Sequence, residues 1–304
     1  MNKSELIEKI KKLKEEKDAI ILAHYYVDGD VQDIADYVGD SFFLAKKAKE
    51  TNNKMIVFCG VSFMGESAKI LNPNKKVLVP DMSASCPMAS MVNEETIRSQ
   101  REKYDDLAVV CYINSDAKIK ALSDVIVTSS NAIKIVQNIK EKNIFFIPDK
   151  NLGRFVKDKV LEKNIILNDG YCPIHNRLLV SDINLVKSLH PNALVLVHPE
   201  CPKAICDMAD FIGSTKEIIE YCQSDDHDEY IIGTEEGVLH QLKKNNPNKM
   251  FYLPRNFKPC MNMKKITLEN VYSCLLEEKN EVILSEELIE KAKKPLDRML
   301  EMGK

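Results

Sequence analysis

NPNKKVLVPDMSASC (residues 72–86) and NPNKMFYLPRNFKPC (residues 246–260) follow one plan at one length: Asn-Pro-Asn-Lys, a short apolar strand, a proline, and a terminal cysteine. A plainer stretch, EKNIILNDGYC (residues 162–172), keeps the strand and the cysteine without the proline landmarks. Recurrence at this period marks a chain built from copies of one supersecondary unit. The copies end at Cys86, Cys172 and Cys260, which stand 86 and 88 residues apart.

Working upstream from each cysteine, the same order of elements returns. Apolar, β-branched runs at 19–26, 107–114 and 193–200 each end in a polar tip, and second runs follow at 55–60, 144–149 and 230–235. Amphipathic segments separate them; VQDIADYV is read as a helix with Val31, Ile34, Ala35 and Val38 on one face. Strands alternating with helices at this spacing predict parallel βαβ units with right-handed crossovers. The expected fold is α/β, with three Rossmann-like, three-layer units related by a pseudo-threefold axis around a central site. Their expected bounds are 1–105, 106–190 and 191–274, and a C-terminal helix within 275–304 is expected to join the first unit. Groups that do chemistry collect beyond the carboxyl ends of parallel strands, so three inward-facing units would bring the three cysteines together.

The composition narrows the function. With 44% hydrophobic and 29% charged residues, the 304-residue chain reads as globular. A net charge of -3, with Lys and Glu interspersed, disfavours a nucleic-acid partner. No apolar run approaches the roughly 20 residues of a membrane span, and the opening MNKSELIEKIKKLKEEKD reads as an amphipathic helix rather than a signal peptide. A cytoplasmic location is expected. Nine cysteines, an odd number, argue against a disulfide framework and leave reduced thiols or a metal centre.

Three convergent thiolates suit a thiophilic metal. No CxxC pair of the structural-zinc type occurs, and Cys201 and Cys206 lie five positions apart in HPECPKAIC. Cys59, Cys111, Cys206, Cys222 and Cys274 read as core residues. An iron-sulfur cluster on three cysteines would keep one exchangeable iron, a Lewis acid suited to dehydration or condensation. Gly39-Asp40-Ser41, Thr128-Ser129-Ser130-Asn131 and Gly213-Ser214-Thr215 stand where helices should begin, as plain N-caps or as anion sites.

Several motifs in fixed order, AHYY (23–26), VQDIADYVGDS (31–41), PDMSASCPMA (80–89), TSSNA (128–132), GYCPIH (170–175), HPEC (198–201) and NFKPCMNM (256–263), resemble the quinolinate synthase family nearly end to end. Ser85 before the first cysteine and the absence of Trp depart from the family pattern. The resemblance implies one 4Fe-4S cluster held by Cys86, Cys172 and Cys260 with one open iron. It also implies condensation of iminoaspartate with dihydroxyacetone phosphate to quinolinate, with loss of phosphate and water, in de novo NAD synthesis. By matching positions, His24, Tyr26, Ser41, Tyr112, Asn114, Ser129, His198 and Thr215 would line the pocket. Glu200, two positions after His198 and on the same face if the strand continues, would be the general base; the alternative is that His-Pro-Glu is simply a strand-ending turn. Tyr26 would handle a proton near the iron, with Tyr25 facing away. Met64 would wall the substrate or serve the core, and His175 would orient the cluster loop or donate to substrate. Partners would be the two substrates and, functionally, an aspartate-oxidising enzyme supplying iminoaspartate; a homodimer is compatible. The rival readings are a hydro-lyase for another hydroxy acid and an iron-sulfur sensor; no recognition-helix motif or G-x-G-x-x-G supports a nucleic-acid or dinucleotide site.

Overall fold

The computed structural model describes residues 2–303; positions 1 and 304, the outer limits of the expected first unit and C-terminal segment, lie outside the described residues. Three parallel four-stranded sheets appear in chain order. The first holds β1 (Ala19–His24), β2 (Tyr37–Gly39), β3 (Met55–Cys59) and β4 (Lys76–Leu78). The second holds β5 (Leu107–Tyr112), β6 (Val125–Val127), β7 (Asn143–Ile147) and β8 (Asn164–Leu167). The third holds β9 (Leu194–Val197), β10 (Phe211–Ile212), β11 (Glu229–Gly233) and β12 (Met250–Tyr252). Each is ordered second-first-third-fourth, so the expected α/β class with three Rossmann-like repeats is what the chain adopts.

One element in each unit departs from expectation. The sequence reading ran a helix through Val38, yet the helix is Gly29–Ile34, Ala35 is extended, and β2 follows as an edge strand beside β1. An aspartate makes the difference. Asp36 donates its N–H to the Ile21 carbonyl at 2.9 Å and accepts the Ile21 N–H on its carboxylate at 2.8 Å. Asp124 holds Val109 in the same way (2.9 and 2.7 Å), as does Asp210 with Val195 (2.9 and 2.8 Å). Two backbone groups of the central strand are thereby taken, and the helix gives way to a strand.

Burial explains why the strands are so apolar. All six residues of β1 and all six of β5 are buried, and each fully buried Leu, Ile or Val contributes roughly 1.5–3 kcal/mol. In the third sheet the two faces separate by alternation. Val195, Val197 and Ile231 pack on one side, Leu196, Tyr230 and Ile232 on the other. The first two sheets share one continuous core, whereas the third has cores of its own. After Cys260 the chain returns to the first sheet, where Leu268–Glu277 packs on Lys3–Glu16 and β3. The last helix, Glu286–Met302, lies against Ala117–Ala121, β6 and Ser62–Leu71, spanning the first two sheets.

The third sheet meets the first largely through polar groups. The Gln32 side-chain amide points at the carbonyls of Tyr25 (2.9 Å), Val27 (2.9 Å) and Gly237 (3.0 Å), and Gln241 donates to its oxygen at 2.9 Å. Lys264 donates to the Tyr26 carbonyl at 3.1 Å and lies 3.5 Å from Glu235. Gly237 is required here. A Cβ on it would meet the Tyr25 carbonyl oxygen and the Tyr26 backbone at 2.7 Å. Among the described residues no helix is long and apolar enough to cross a membrane.

Candidate functional site

The carboxyl ends of β1, β5 and β9 converge on one cavity, whose atom-free space is about 690 Å³ with its opening to solvent included. His24, Tyr112 and His198 stand at the strand tips, and the residue two further on, Tyr26, Asn114 or Glu200, lines the same cavity. These second residues arrive by turns. β9 ends at Val197, and the Cys201 N–H closes a turn on the His198 carbonyl at 3.0 Å, so it is the His-Pro-Glu turn, not a continued strand, that delivers Glu200. Ser41, Met64, Ser129, His175 and Thr215 also line the cavity, as do Cys86, Cys172 and Cys260. Tyr25 packs instead against the core of the third sheet.

The first and third tips are built alike. The Tyr26 N–H donates to His24 Nδ1 at 3.2 Å, and the Glu200 N–H donates to His198 Nδ1 at 3.3 Å. An Nδ1 that accepts leaves the proton on Nε2, so both rings are neutral donors. Burial agrees, since it lowers both imidazoles to about 3 against the opposing pull of Glu200. The 3.5 Å approach of His198 Nδ1 to Glu200 is therefore not an ion pair.

His175 carries the stronger contact. Its Nδ1 lies 2.7 Å from Glu200 Oε2 and 3.3 Å from Cys172 Sγ, and its Nε2 lies 2.9 Å from Thr234 Oγ1. Burial is the largest influence and works against the Glu200 carboxylate, but the His175, His198 and Tyr112 contacts together lower the group to about 2. Thr234 shares a hydrogen bond with the Tyr26 hydroxyl at 2.8 Å, and Tyr26 reaches Thr215 Oγ1 at 2.7 Å. A continuous chain thus runs Glu200–His175–Thr234–Tyr26–Thr215, drawing on all three units. Burial, with the nearby Glu200 charge, pushes both Tyr26 and Tyr112 well above the ordinary phenol range. Glu200 Oε1 and Asn114 Oδ1 are buried with no partner, which leaves two acceptors for a ligand's donors.

Two of the three helix starts are capped as the sequence allowed, and they border the cavity. The Asp40 carboxylate caps Phe43 at 2.8 Å and Ser214 caps Glu217 at 3.3 Å, while Ser41 and Thr215, the next residues, face the cavity. Among the described residues no Lys or Arg lines the cavity. Anions would be met by neutral donors and helix ends.

Each of the three cysteines immediately precedes a helical turn whose N–H returns to the cysteine carbonyl: Ala89 to Cys86 (3.0 Å), Asn176 to Cys172 (2.9 Å) and Lys264 to Cys260 (3.1 Å). Backbone N–H groups of those turns also face the sulfurs and favour thiolate. Burial outweighs them, pushing Cys86 up to about 12 and raising the other two. Thiols in such a place ionise when a cation is there to hold the charge. The acid two residues beyond the second inner strand anchors the loop: Asp149 accepts the Cys172 N–H at 2.9 Å and Glu235 the Cys260 N–H at 3.1 Å. Val61 stands at the corresponding place in the first unit, where Ser62 N–H bonds Ala84 O at 2.7 Å instead. The donor set, three free thiols on three loops around one cavity, is compatible with a metal cluster. Ligand atoms of Cys172, His175 and Glu200 also lie within 4.8 Å of one another, but His175 is engaged with both Glu200 and Thr234.

Sequence reasoning missed Thr234, Asp149 and Glu235. The polar endings of IFFIPD and YIIGTE were the available signal, because a buried strand that closes on an acid needs a reason to do so.

A model of the family described as "Quinolinate synthetase A protein" matches residues 8–301. Proteins named quinolinate synthase are similar throughout: that of Caldicellulosiruptor bescii is 54% identical over 303 residues, covering 100% of both chains. That of Fusobacterium nucleatum is 53% identical over 296 residues (97% of this chain, 99% of the relative), and that of Clostridioides difficile 52% over 300 (99% and 98%).

Proposed function

Because this chain belongs to the quinolinate synthetase A family, we propose that it is a cytoplasmic transferase that condenses iminoaspartate with dihydroxyacetone phosphate to quinolinate, losing phosphate and water, in de novo NAD synthesis. In this reading Cys86, Cys172 and Cys260 hold one 4Fe-4S cluster, and the lack of a fourth thiol in the cavity wall leaves one iron open. When bound, the cluster would supply a Lewis acid for the dehydrating steps. Iminoaspartate would come from an aspartate-oxidising enzyme.

The remaining work falls to the chain's own groups. His24 and His198 offer Nε2–H to substrate carboxylate or carbonyl oxygens, and stay neutral donors throughout the physiological range. Ser41, Ser129 and Thr215 add uncharged hydroxyl donors at or just before helix starts, which release phosphate more readily than a lysine cluster would. Glu200 is the general base, since it is the ionised carboxylate at the cavity with a free oxygen, Oε1. A proton taken there has a path along His175 and Thr234 to the Tyr26 hydroxyl, each link 2.7–2.9 Å long. Tyr112 remains a phenol and donates; Asn114 Oδ1 accepts from a substrate N–H or O–H. Met64 and Phe63 exclude water on one wall.

The observation that carries this reading is the meeting of three repeat-equivalent cysteines at a cavity whose only unpartnered buried acceptors are Glu200 Oε1 and Asn114 Oδ1, among the described residues. Anaerobic purification with iron and sulfide counting, and quinolinate and phosphate assayed together, tests it. Four irons per chain are expected, falling to near none in Cys86→Ala, Cys172→Ala and Cys260→Ala and unchanged in Cys201→Ala and Cys206→Ala. Full iron content in any of the first three, or no phosphate released with quinolinate, defeats the reading.

A further inference from the structure

The three thiols touch a second space. Cys86, Cys172 and Cys260 also line a hollow walled by Pro87, Pro173, Pro259 and Met261 and edged by Arg177 and Lys258. It shares with the substrate cavity only the three cysteines and Ile174. The cysteine ring is thus a partition, with polar chemistry on one side and the hollow on the other. Of the nine cysteines these three alone are half-buried, and the other six are buried. The hollow reaches solvent, for Met261 is 68% exposed and Pro87, Arg177 and Lys258 are exposed as well. Its charge is one-sided. No carboxylate lines it, and both charged residues are cations.

We infer that this hollow is a second access to the three-thiol centre, through which small anionic reagents, such as hydrosulfide and polycarboxylate chelators, reach the metal without crossing the substrate cavity. The inference rests on the reading above that these thiols hold a cluster. Two physical features support it. Walls of proline and methionine, with Asn262 the one uncharged polar side chain, present no carboxylate, and two cations at the mouth raise an anion's local concentration, an effect worth roughly 10–1,000-fold in rate at low salt. The substrate cavity lacks this field, since no Lys or Arg lines it.

The test follows the visible absorbance of the anaerobically loaded protein as EDTA, an anion, or bipyridyl, a neutral chelator, strips the iron. It compares the wild-type protein, R177E/K258E, and Met261→Trp, which plugs the hollow. Each is run with and without saturating quinolinate in the substrate cavity. Stripping by EDTA is expected to slow about tenfold in R177E/K258E at low salt, with bipyridyl unaffected. Both chelators are expected to slow in Met261→Trp, and quinolinate is expected to leave all rates within twofold. Protection of more than tenfold by quinolinate, or an EDTA rate unchanged in both variants, overturns the inference. Turnover of R177E/K258E should match wild type, because neither residue lines the substrate cavity. A wild-type chain that takes up no iron refutes the underlying reading instead, so the two failures are separable.

Discussion

Replacing Gly237 with alanine tests whether the seam between the first and third sheets sets the catalytic geometry. Gly237 has φ -57 and ψ -25, a helical conformation that alanine prefers, so by backbone entropy alone the change would stabilise by about 0.4–1 kcal/mol. Space reverses the sign. The new Cβ would lie 2.7 Å from the Tyr25 oxygen and the Tyr26 carbons, all backbone atoms that no rotamer change can move, and ordinary contact begins at 3.4 Å. To reach ordinary contact the seam must open by about 0.7 Å at Tyr26. Carried to the Tyr26 hydroxyl, that displacement stretches its 2.7 and 2.8 Å bonds beyond the 2.5–3.0 Å range of O–H···O hydrogen bonds. Losing both, and weakening the Gln32 bond to Gly237, costs about 2–3 kcal/mol, or about 4–10 °C in Tm for a chain of this size. A misplacement near 1 Å lowers turnover by about 100-fold. Iron content should fall less than turnover, because only the Cys260 loop is tied to the seam, through Lys264 and Glu235. Thermal melting of the iron-loaded protein, iron counting and quinolinate formation read the three effects. A G237A protein melting at or above wild type, with more than half its turnover, would refute the steric account and the role given to the seam.

Two further outcomes follow from the same contacts. Lys264→Met should lower the melting temperature of the iron-free protein by the equivalent of about 1–3 kcal/mol, since it frees the Tyr26 carbonyl and leaves buried Glu235 without its cation, and Lys264→Arg should restore most of it. Equal melting of both variants and wild type would remove Lys264 from the seam. Glu278, bridged by Lys17 and Lys76, is held near 2 against an ordinary 4.5 by those hydrogen bonds. A carboxylate so lowered stabilises the fold above pH 4.5 and loses that contribution as pH falls towards 2. Its side chain is about one-third exposed, so solvent screening leaves about 1 kcal/mol or less. Glu278→Gln should therefore melt about 1–3 °C lower at pH 7, with the difference shrinking as the pH drops below 4.5; a difference that grows in acid contradicts the pairing.

Most of the fold was legible because its signals were covalent and periodic: the cysteines at 86, 172 and 260, the Asn-Pro-Asn-Lys starts, and fully apolar strands that parallel sheets require. The edge strands were not. Phe211–Ile212 is two residues long and half-buried, and Tyr37–Gly39 follows an apolar pattern equally consistent with helix. Local pattern there loses to the aspartate that grips the neighbouring strand. The site was legible where a side chain stands at a strand tip, as His24, Tyr112 and His198 do. It was not legible where a residue acts across units. Thr234 bonds both Tyr26 and His175, partners 208 and 59 positions away, and nothing in its own neighbourhood announces either.

The positions of the sulfurs also fix when the centre can exist. The first and last lie 174 residues apart, and each sits on a loop positioned by its own sheet. No chain shorter than 260 residues can present all three. On the proposed reading, metal capture waits until all three units have formed, and a ligand that binds only the assembled state stabilises every unit at once. Nicking any one sheet should release the metal held by the other two.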